Sequence, residues 1–365
     1  MADDSANPAE ELIGQTINSR WKITERKNLD GKDTTGGFFS VPYVVTDTTT
    51  GDVAFMKVVN LAKALLIYQQ QGVSTAEALN RITDNHLFEV DLAEACKLYK
   101  LKKVVRVLDH GDIPAEIPLL GRVGIPYIVF ERADCDAHSL LDGGKRTDFG
   151  WHMATLHQVA VGIQELHRAK IAHQDVKRSN VVFFDEQRDS VKLIDLGRAV
   201  KRDRPSRNDQ RLVPCQPINA PPECLYGFAP ADWAEKHFAA DVYMLGSLAY
   251  SMFFDVSMTF ALLREVPPTL HPASLVGDSG FAGPYRDVLP VLQSALAQVL
   301  AAAEQHIDKR IREIYLSTLG FLCDPDPVRR GHPKNKTGFT DPYSCERFIS
   351  AFRRMQLLME GPLAA

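Results

Sequence analysis

The chain is 365 residues long, with 45% hydrophobic and 24% charged residues, an ordinary globular composition that is too long for one small core and suits two lobes. Its net charge of −4 offers no basic field for nucleic acid and no acidity of the kind that keeps a chain disordered. Six scattered cysteines (Cys96, Cys135, Cys215, Cys224, Cys323, Cys345) form no CxxC pair and read as reduced thiols, not as a disulfide framework or a zinc site.

Residues 1–15, opening "MADDSANPAEE", are acidic and polar, unlike a signal peptide, and are expected to be a disordered or capping tail. No apolar run approaches the roughly 20 residues that span a bilayer, so a cytoplasmic protein without a membrane partner is expected. From Trp21 the text becomes strand-like: "WKITERKNL", "GGFFSVPYVVTD" and "GDVAFMKVV", with "TTTGD" as the turn between the last two. Residues 61–100 have helical spacing, and strands return at "VVRVLDHGD" and "IPYIVFE". The character changes after Glu131, with a hinge expected near 131–138. The stretch "WHMATLHQVAVGIQELHRAK" then sets Met153, Leu156, Val159 or Ala160, Ile163 and Leu166 on one helical face. Two short apolar strands, "VVFF" and "VKLID", follow, and the remainder is helical and punctuated by proline, without internal repeats.

Between that amphipathic helix and "VVFF" lies "HQDVKRSN", residues 173–180. Moving a phosphoryl group asks a protein to hold phosphates, place magnesium and align an acceptor hydroxyl. Asp175 suits the acceptor hydroxyl, Lys177 the transferring phosphate and Asn180 a magnesium ion. Fifteen residues beyond Asn180, "DLG" ends the next strand with Asp195, a second metal ligand. An Asp-x-x-x-x-Asn match alone is weak; its position between helix and strand, with Asp-Leu-Gly following, makes it specific.

From about Trp21 to Arg330 the sequence resembles the eukaryotic-like Ser/Thr protein kinases, including those of bacteria. "AFMK" resembles the strand motif whose lysine, here Lys57, meets the ATP phosphates. "FEVDLAEACKLYKL" offers Glu89, Asp91 and Glu94 as its partner, and spacing to "VVRVL" favours Glu94. "YIVFERA" resembles the hinge, with Phe130 as gatekeeper and the backbone of Glu131 to Ala133 toward adenine. "PPE" at 221–223 resembles the end of an activation segment, and "DVYMLG" a buried helix whose Asp241 bonds the catalytic-loop backbone. "DPDPVRR" offers Arg330 to pair with Glu223, while His173 is given a structural part only.

The resemblance implies an α+β, bilobal kinase-like fold: an N-lobe over 16–133, β-rich with one main helix, a mostly helical C-lobe over 134–358, and a C-terminal tail at 359–365. It implies an ATP- and Mg2+-dependent transferase acting on Ser/Thr hydroxyls of protein substrates, with a regulatory partner possible. The alternatives are a pseudokinase that scaffolds or binds nucleotide, and a small-molecule kinase, which the "PPE" ending and Arg330 disfavour.

Several positions depart from the family pattern. "DGKDTTGGFFSV" is a thin Gly-rich loop: Gly31, Gly36 and Gly37 are present, Phe39 is at the tip, and Ser40 stands where a third glycine is expected. Phe55 occupies the place of a small residue above adenine, where it either stacks on a shifted base, blocks entry or simply fills the core. Gln174 replaces the arginine that reads loop phosphorylation, and Gln216 stands where a threonine usually contacts the catalytic Asp. Lys201, Arg202, Arg204, Arg207 and Arg211 read as a solvated loop face, or less simply as a dock for acidic or already phosphorylated substrates.

Overall fold

The computed structural model describes residues 7–27, 39–117, 120–142, 148–184, 190–337 and 341–360. The chain folds as two units, Met1–Lys100 with Val104–Asp134, and Leu101–Lys103 with Cys135–Ala365.

The first unit contains β1 (Thr16–Ile17), β2 (Trp21–Arg26), β3 (Ser40–Asp47), β4 (Val53–Val59), α1 (Leu61–Gln70), α2 (Thr75–Leu98), β5 (Val107–Ile117) and β6 (Gly121–Glu131). Among the described residues the six strands form one antiparallel sheet in the order β1-β2-β3-β4-β6-β5. Side chains alternate across the pleat, so Ala54, Met56 and Val58 enter one core while Phe55 and Lys57 turn to the opposite face. That core also takes Leu61, Ala64 and Leu65 of α1 and Ala78 and Ile82 of α2. The opposite face is covered by the second half of α2, where Val90 and Ala93 pack with Val107, Ile128 and Phe130. Helix α1 thus braces the first half of α2, beginning at Asn60, whose side chain accepts from Lys63 N.

Of the two expectations for residues 1–15, a disordered or a capping tail, disorder does not hold over 7–15, the part the structure describes. Ala9 and Leu12 are buried in the sheet core, Tyr43 donates its hydroxyl to the Ala9 carbonyl (2.7 Å), and Asn7 Nδ2 donates to Asn60 Oδ1 (3.0 Å). Two apolar side chains, at 9 and 12, outweigh the polar composition around them.

The second unit contains β7 (Cys135–Asp136), α3 (Ala137–Asp142), α4 (Phe149–Arg168), β8 (Ile171–Ala172), β9 (Val181–Phe183), β10 (Val191–Leu193) and β11 (Val200–Lys201). It continues with α5 (Pro222–Leu225), α6 (Trp233–Phe254), α7 (Met258–Glu265), α8 (Ala273–Val276), α9 (Tyr285–Glu304), α10 (Arg312–Leu322), α11 (Pro333–Lys336) and α12 (Glu346–Glu360). The α4 face formed by Met153, Leu156, Val159, Ala160, Ile163 and Leu166 is wholly buried. Helix α12 packs along α4, and the Gln164 side-chain oxygen accepts from both Cys345 N and Ser344 Oγ. Asp232 caps α6 by accepting from Glu235 N. β9 lies between β10 and β7, and β8 pairs with β11, so the loop from 173 to 180 is clamped by a strand at each end.

Two buried histidines give this unit an acid sensitivity. Burial among Trp151 and Phe253 lowers His152 to about 4, against a smaller upward pull from Asp148. Burial and Lys236 likewise lower His237 to about 4, against Asp209 and Asp241. Unfolded histidine titrates at about 6.5, so the unfolded chain binds more protons between these values. The stabilisation is therefore complete above pH ~6.5 and is lost as pH falls toward 4, on the order of 3 kcal/mol for each group. Urea midpoints should drop over this window and His152→Phe should flatten the profile; a midpoint constant from pH 7 to 4.5 contradicts it.

Candidate active site

The loop after β8 is held from below by one carboxylate. Asp241, fully buried on α6, accepts from His173 N (2.7 Å) and His167 Nε2 (3.0 Å) at Oδ2, and from Gln174 N (2.8 Å) and Gln174 Nε2 (3.0 Å) at Oδ1. Burial alone would raise its pKa, but His167, His173 and the Gln174 N–H outweigh burial and hold it below the usual value. Gln174 has φ +63°, a left-handed conformation that costs a non-glycine residue roughly 1 kcal/mol or more. Two successive N–H groups converging on Asp241 offset that cost. His173 fixes the other side: its Nε2 donates to the Ile194 carbonyl (3.0 Å) and its Nδ1 accepts from Asp175 N (3.3 Å).

Above this base Asp175, Lys177 and Asn180 converge. Lys177 Nζ lies 3.1 Å from Asp175 Oδ2, and Asn180 Nδ2 donates to the Asp175 carbonyl (2.7 Å) and to Oδ2 (3.2 Å). Asp175 Oδ1 and Asn180 Oδ1 are buried acceptors with no hydrogen-bond partner among the described residues. Such atoms are costly unless something completes them. Ile194 N donates to the Asn180 carbonyl (3.1 Å), which ties the residue before Asp195 to Asn180. Asp195 has φ +68°, and its Oδ1 accepts from Gly197 N (3.3 Å). The orphaned Asn180 oxygen and the Asp195 carboxylate are hard oxygen donors of the type magnesium takes, so the residues present fit that ion.

In the first unit Lys57 Nζ lies 3.4 Å from Glu89 Oε1, both largely shielded from water. The expected partner Glu94 is corrected: it pairs with Lys97 (3.3 Å) on an exposed face. Five residues at about 100° each carry Glu94 some 140° round the helix from Glu89. The rotation is set by Val90 and Ala93, which pack against Ile128 on the Lys57 face of the sheet. Replacing Glu89 by Gln should therefore weaken nucleotide-dependent thermal stabilisation several-fold in apparent affinity, while Glu94→Gln should leave it unchanged; the reverse ranking would restore Glu94.

Phe55 shares the Lys57 face, opposite Val44 and Phe130 in the neighbouring strands. Glu131 N donates to the Arg106 carbonyl (3.1 Å), and its side chain accepts from Arg106 N (2.7 Å). Ala133 follows as a half-buried residue beyond β6. Gly31, Gly36 and Gly37 lie outside the described residues.

Residues 35–262, more than half of the chain, match the protein kinase domain. The chain belongs to the protein kinase family. No curated protein matches it. The family makes it a phosphotransferase, and the kinase fold accounts for a β-rich first unit followed by a helical one.

Two further features of the kinase lie in the second unit. Arg330, past the matched span, is fully buried and grips Glu223 with Nη1–Oε1 at 2.6 Å and Nη2–Oε2 at 2.7 Å. The activation segment, 195–223, is tied down along its length. β11 pairs with β8, the buried Asn208 donates to the Gly197 and Ala199 carbonyls, and Arg198 donates to the Pro214 carbonyl. Sequence reasoning missed His167 and His237, which bond Asp241 and Gln174, because those partners lie on other elements, 74 and 63 residues away, and leave no local pattern. It also missed Asn208, whose only signal is a polar residue in a segment that must curl back on itself.

Proposed function

We propose that this kinase transfers the γ-phosphoryl group of ATP to Ser or Thr hydroxyls of protein substrates, with Asp175 as the catalytic base. The observation that carries this reading is the pair of orphaned acceptors, Asp175 Oδ1 and Asn180 Oδ1, beside Lys177. Asp175 would receive the acceptor hydroxyl at Oδ1, align its oxygen on phosphorus and take its proton as the bond to ADP breaks. Lys177, already drawn to the other carboxylate oxygen, would stabilise charge on the moving phosphoryl oxygens. Lys57, held by Glu89, would contact the nucleotide phosphates. Magnesium, held by Asn180 and Asp195, would supply neutralisation of phosphate charge.

Radiolabelled transfer from ATP with magnesium, to the protein itself and to a generic basic protein, followed by phosphoamino-acid analysis, tests the proposal. Label on Ser or Thr is expected; label confined to Tyr contradicts the acceptor class. The pseudokinase reading draws on Phe55, a bulky ring on the Lys57 face. It predicts no label together with no thermal shift by ATP.

A further inference from the structure

Kinase activation loops are commonly ordered when a phosphate on the loop pairs with arginine. This segment holds itself by other means. Between Asp195 and Glu223 the only hydroxyl side chain is Ser206, and it is already in use. Its Oγ accepts from Asn208 N (3.2 Å) and donates to Asp209 Oδ2 (3.1 Å), while Ser206 N donates to the same carboxylate oxygen (2.7 Å). This capping box opens the short 3-10 turn Arg207–Gln210.

Asp209 then reaches α6 from the same turn. Trp233 Nε1 donates to Asp209 Oδ1 (3.3 Å), Lys236 Nζ donates to the Asp209 carbonyl, and His237 Nε2 stands 3.8 Å from Oδ1. The other nitrogen of His237 faces the catalytic loop, where Nδ1 donates to Gln174 Oε1 (3.0 Å). Gln174 Nε2 spends its two protons on the His237 carbonyl (2.9 Å) and Asp241 Oδ1 (3.0 Å). With 2% of its surface exposed, Gln174 offers nothing outward to a phosphate. Asp209 is thus bonded to α6 through Trp233 and Lys236, and α6 is bonded through His237 to the amide next to Asp175, so the segment and the catalytic loop share one helix as their anchor.

We infer that Asp209, His237 and Gln174 are positioning residues that hold the activation segment and the catalytic loop to the same helix, α6, in the unphosphorylated chain, the task a loop phosphate performs elsewhere. Their effect on transfer rests on the kinase reading above; their effect on the segment does not. Phosphate on Ser206 would remove the proton that Asp209 accepts and set about two negative charges beside its carboxylate, so modification there would loosen the segment. Burial keeps His237 neutral near pH 7; its one ring proton, on Nδ1, serves Gln174, and its Nε2 has none to give Asp209, which α6 holds through Trp233 and Lys236.

The test uses full-length protein co-expressed with a phosphatase, its lack of phosphate verified by intact mass. Hydrogen exchange is followed over 198–213 and 173–177, with α4 and α12 as internal references for global folding. Wild type should be protected in both segments and transfer phosphate without a lag. Asp209→Ala should exchange at least tenfold faster over 198–213, and its kcat should fall at least tenfold with KM for ATP within twofold. Trp233→Phe, which removes the indole donor and trims the ring packed on His237 and Phe238, should move both readouts in the same direction by less. Ser206→Asp should lower the rate. Unchanged protection in Asp209→Ala, or a tenfold gain in rate from Ser206→Asp or from phosphorylated Ser206, overturns the inference. If wild type transfers nothing, the kinase reading fails alone: faster exchange in Asp209→Ala then still supports the tether, and equal exchange still overturns it.

Discussion

Asp175→Asn is expected to lower phosphoryl transfer by roughly a thousandfold while leaving nucleotide affinity within a few-fold of wild type. The asymmetry of the carboxylate makes this substitution informative. Oδ2 is occupied by Lys177 and Asn180, and Oδ1 is the buried oxygen without a partner. An asparagine can keep its oxygen toward Lys177, which preserves the loop, but then presents an amide N–H where the acceptor hydroxyl must give up its proton. Geometry is retained and basicity is lost. Lys57, Asn180 and Asp195 are untouched, so ATP with magnesium should stabilise the variant as it does wild type. Initial rates at saturating ATP, beside thermal shifts with and without magnesium, separate the two effects. Transfer at the wild-type rate would remove Asp175 as base, and loss of nucleotide stabilisation would mean that its role is to hold the loop.

The arrangement of the 173–180 loop was legible because its residues are close in sequence. Asp175, Lys177 and Asn180 fall within one loop between two short strands, so their spacing in the sequence constrains their spacing in space. The lysine partner was not legible in the same way. Glu89 and Glu94 lie on one helix, and what separates them is helix rotation, fixed by Val90 and Ala93 meeting a sheet whose strands are dozens of residues away. Composition misled at the N-terminus for a related reason: an acidic, polar stretch hides the two apolar residues, Ala9 and Leu12, that decide its fate. Gln174 shows a third kind of gap. In the sequence it reads as an arginine removed; in the fold its amide is a filled junction between His237 and Asp241. A substitution pattern can report the interaction that is gone, but the one that replaces it depends on side chains brought in by tertiary structure.

Breaking the Arg330–Glu223 pair from either side should cost about 3–5 kcal/mol, because a fully buried charge is left without its counter-charge. Arg330 has five N–H protons and makes five bonds: two to Glu223, and one each to the Asp324, Ala239 and Pro325 carbonyls. Burial by itself would lower its pKa, but the Glu223 carboxylate holds it above the usual arginine value, so Arg330 cannot escape the penalty by losing its proton. Glu223→Gln is therefore expected to destabilise strongly despite its near-identical shape. Arg330→Met combined with Glu223→Leu removes both charges and should recover much of the loss, though three backbone carbonyls then lose a donor and keep the recovery incomplete. Urea midpoints of wild type, the two single variants and the double variant close the cycle; a cost below about 1 kcal/mol for Glu223→Gln would mean that water or a rearranged carbonyl completes Arg330. The double variant then separates stability from activity. The pair joins the end of the activation segment to the 324–330 loop, and Arg330 also meets α6 at the Ala239 carbonyl. A protein that regains its midpoint but not its transfer rate would show that the ion pair is kept for where it places that segment, beyond what it contributes to the fold.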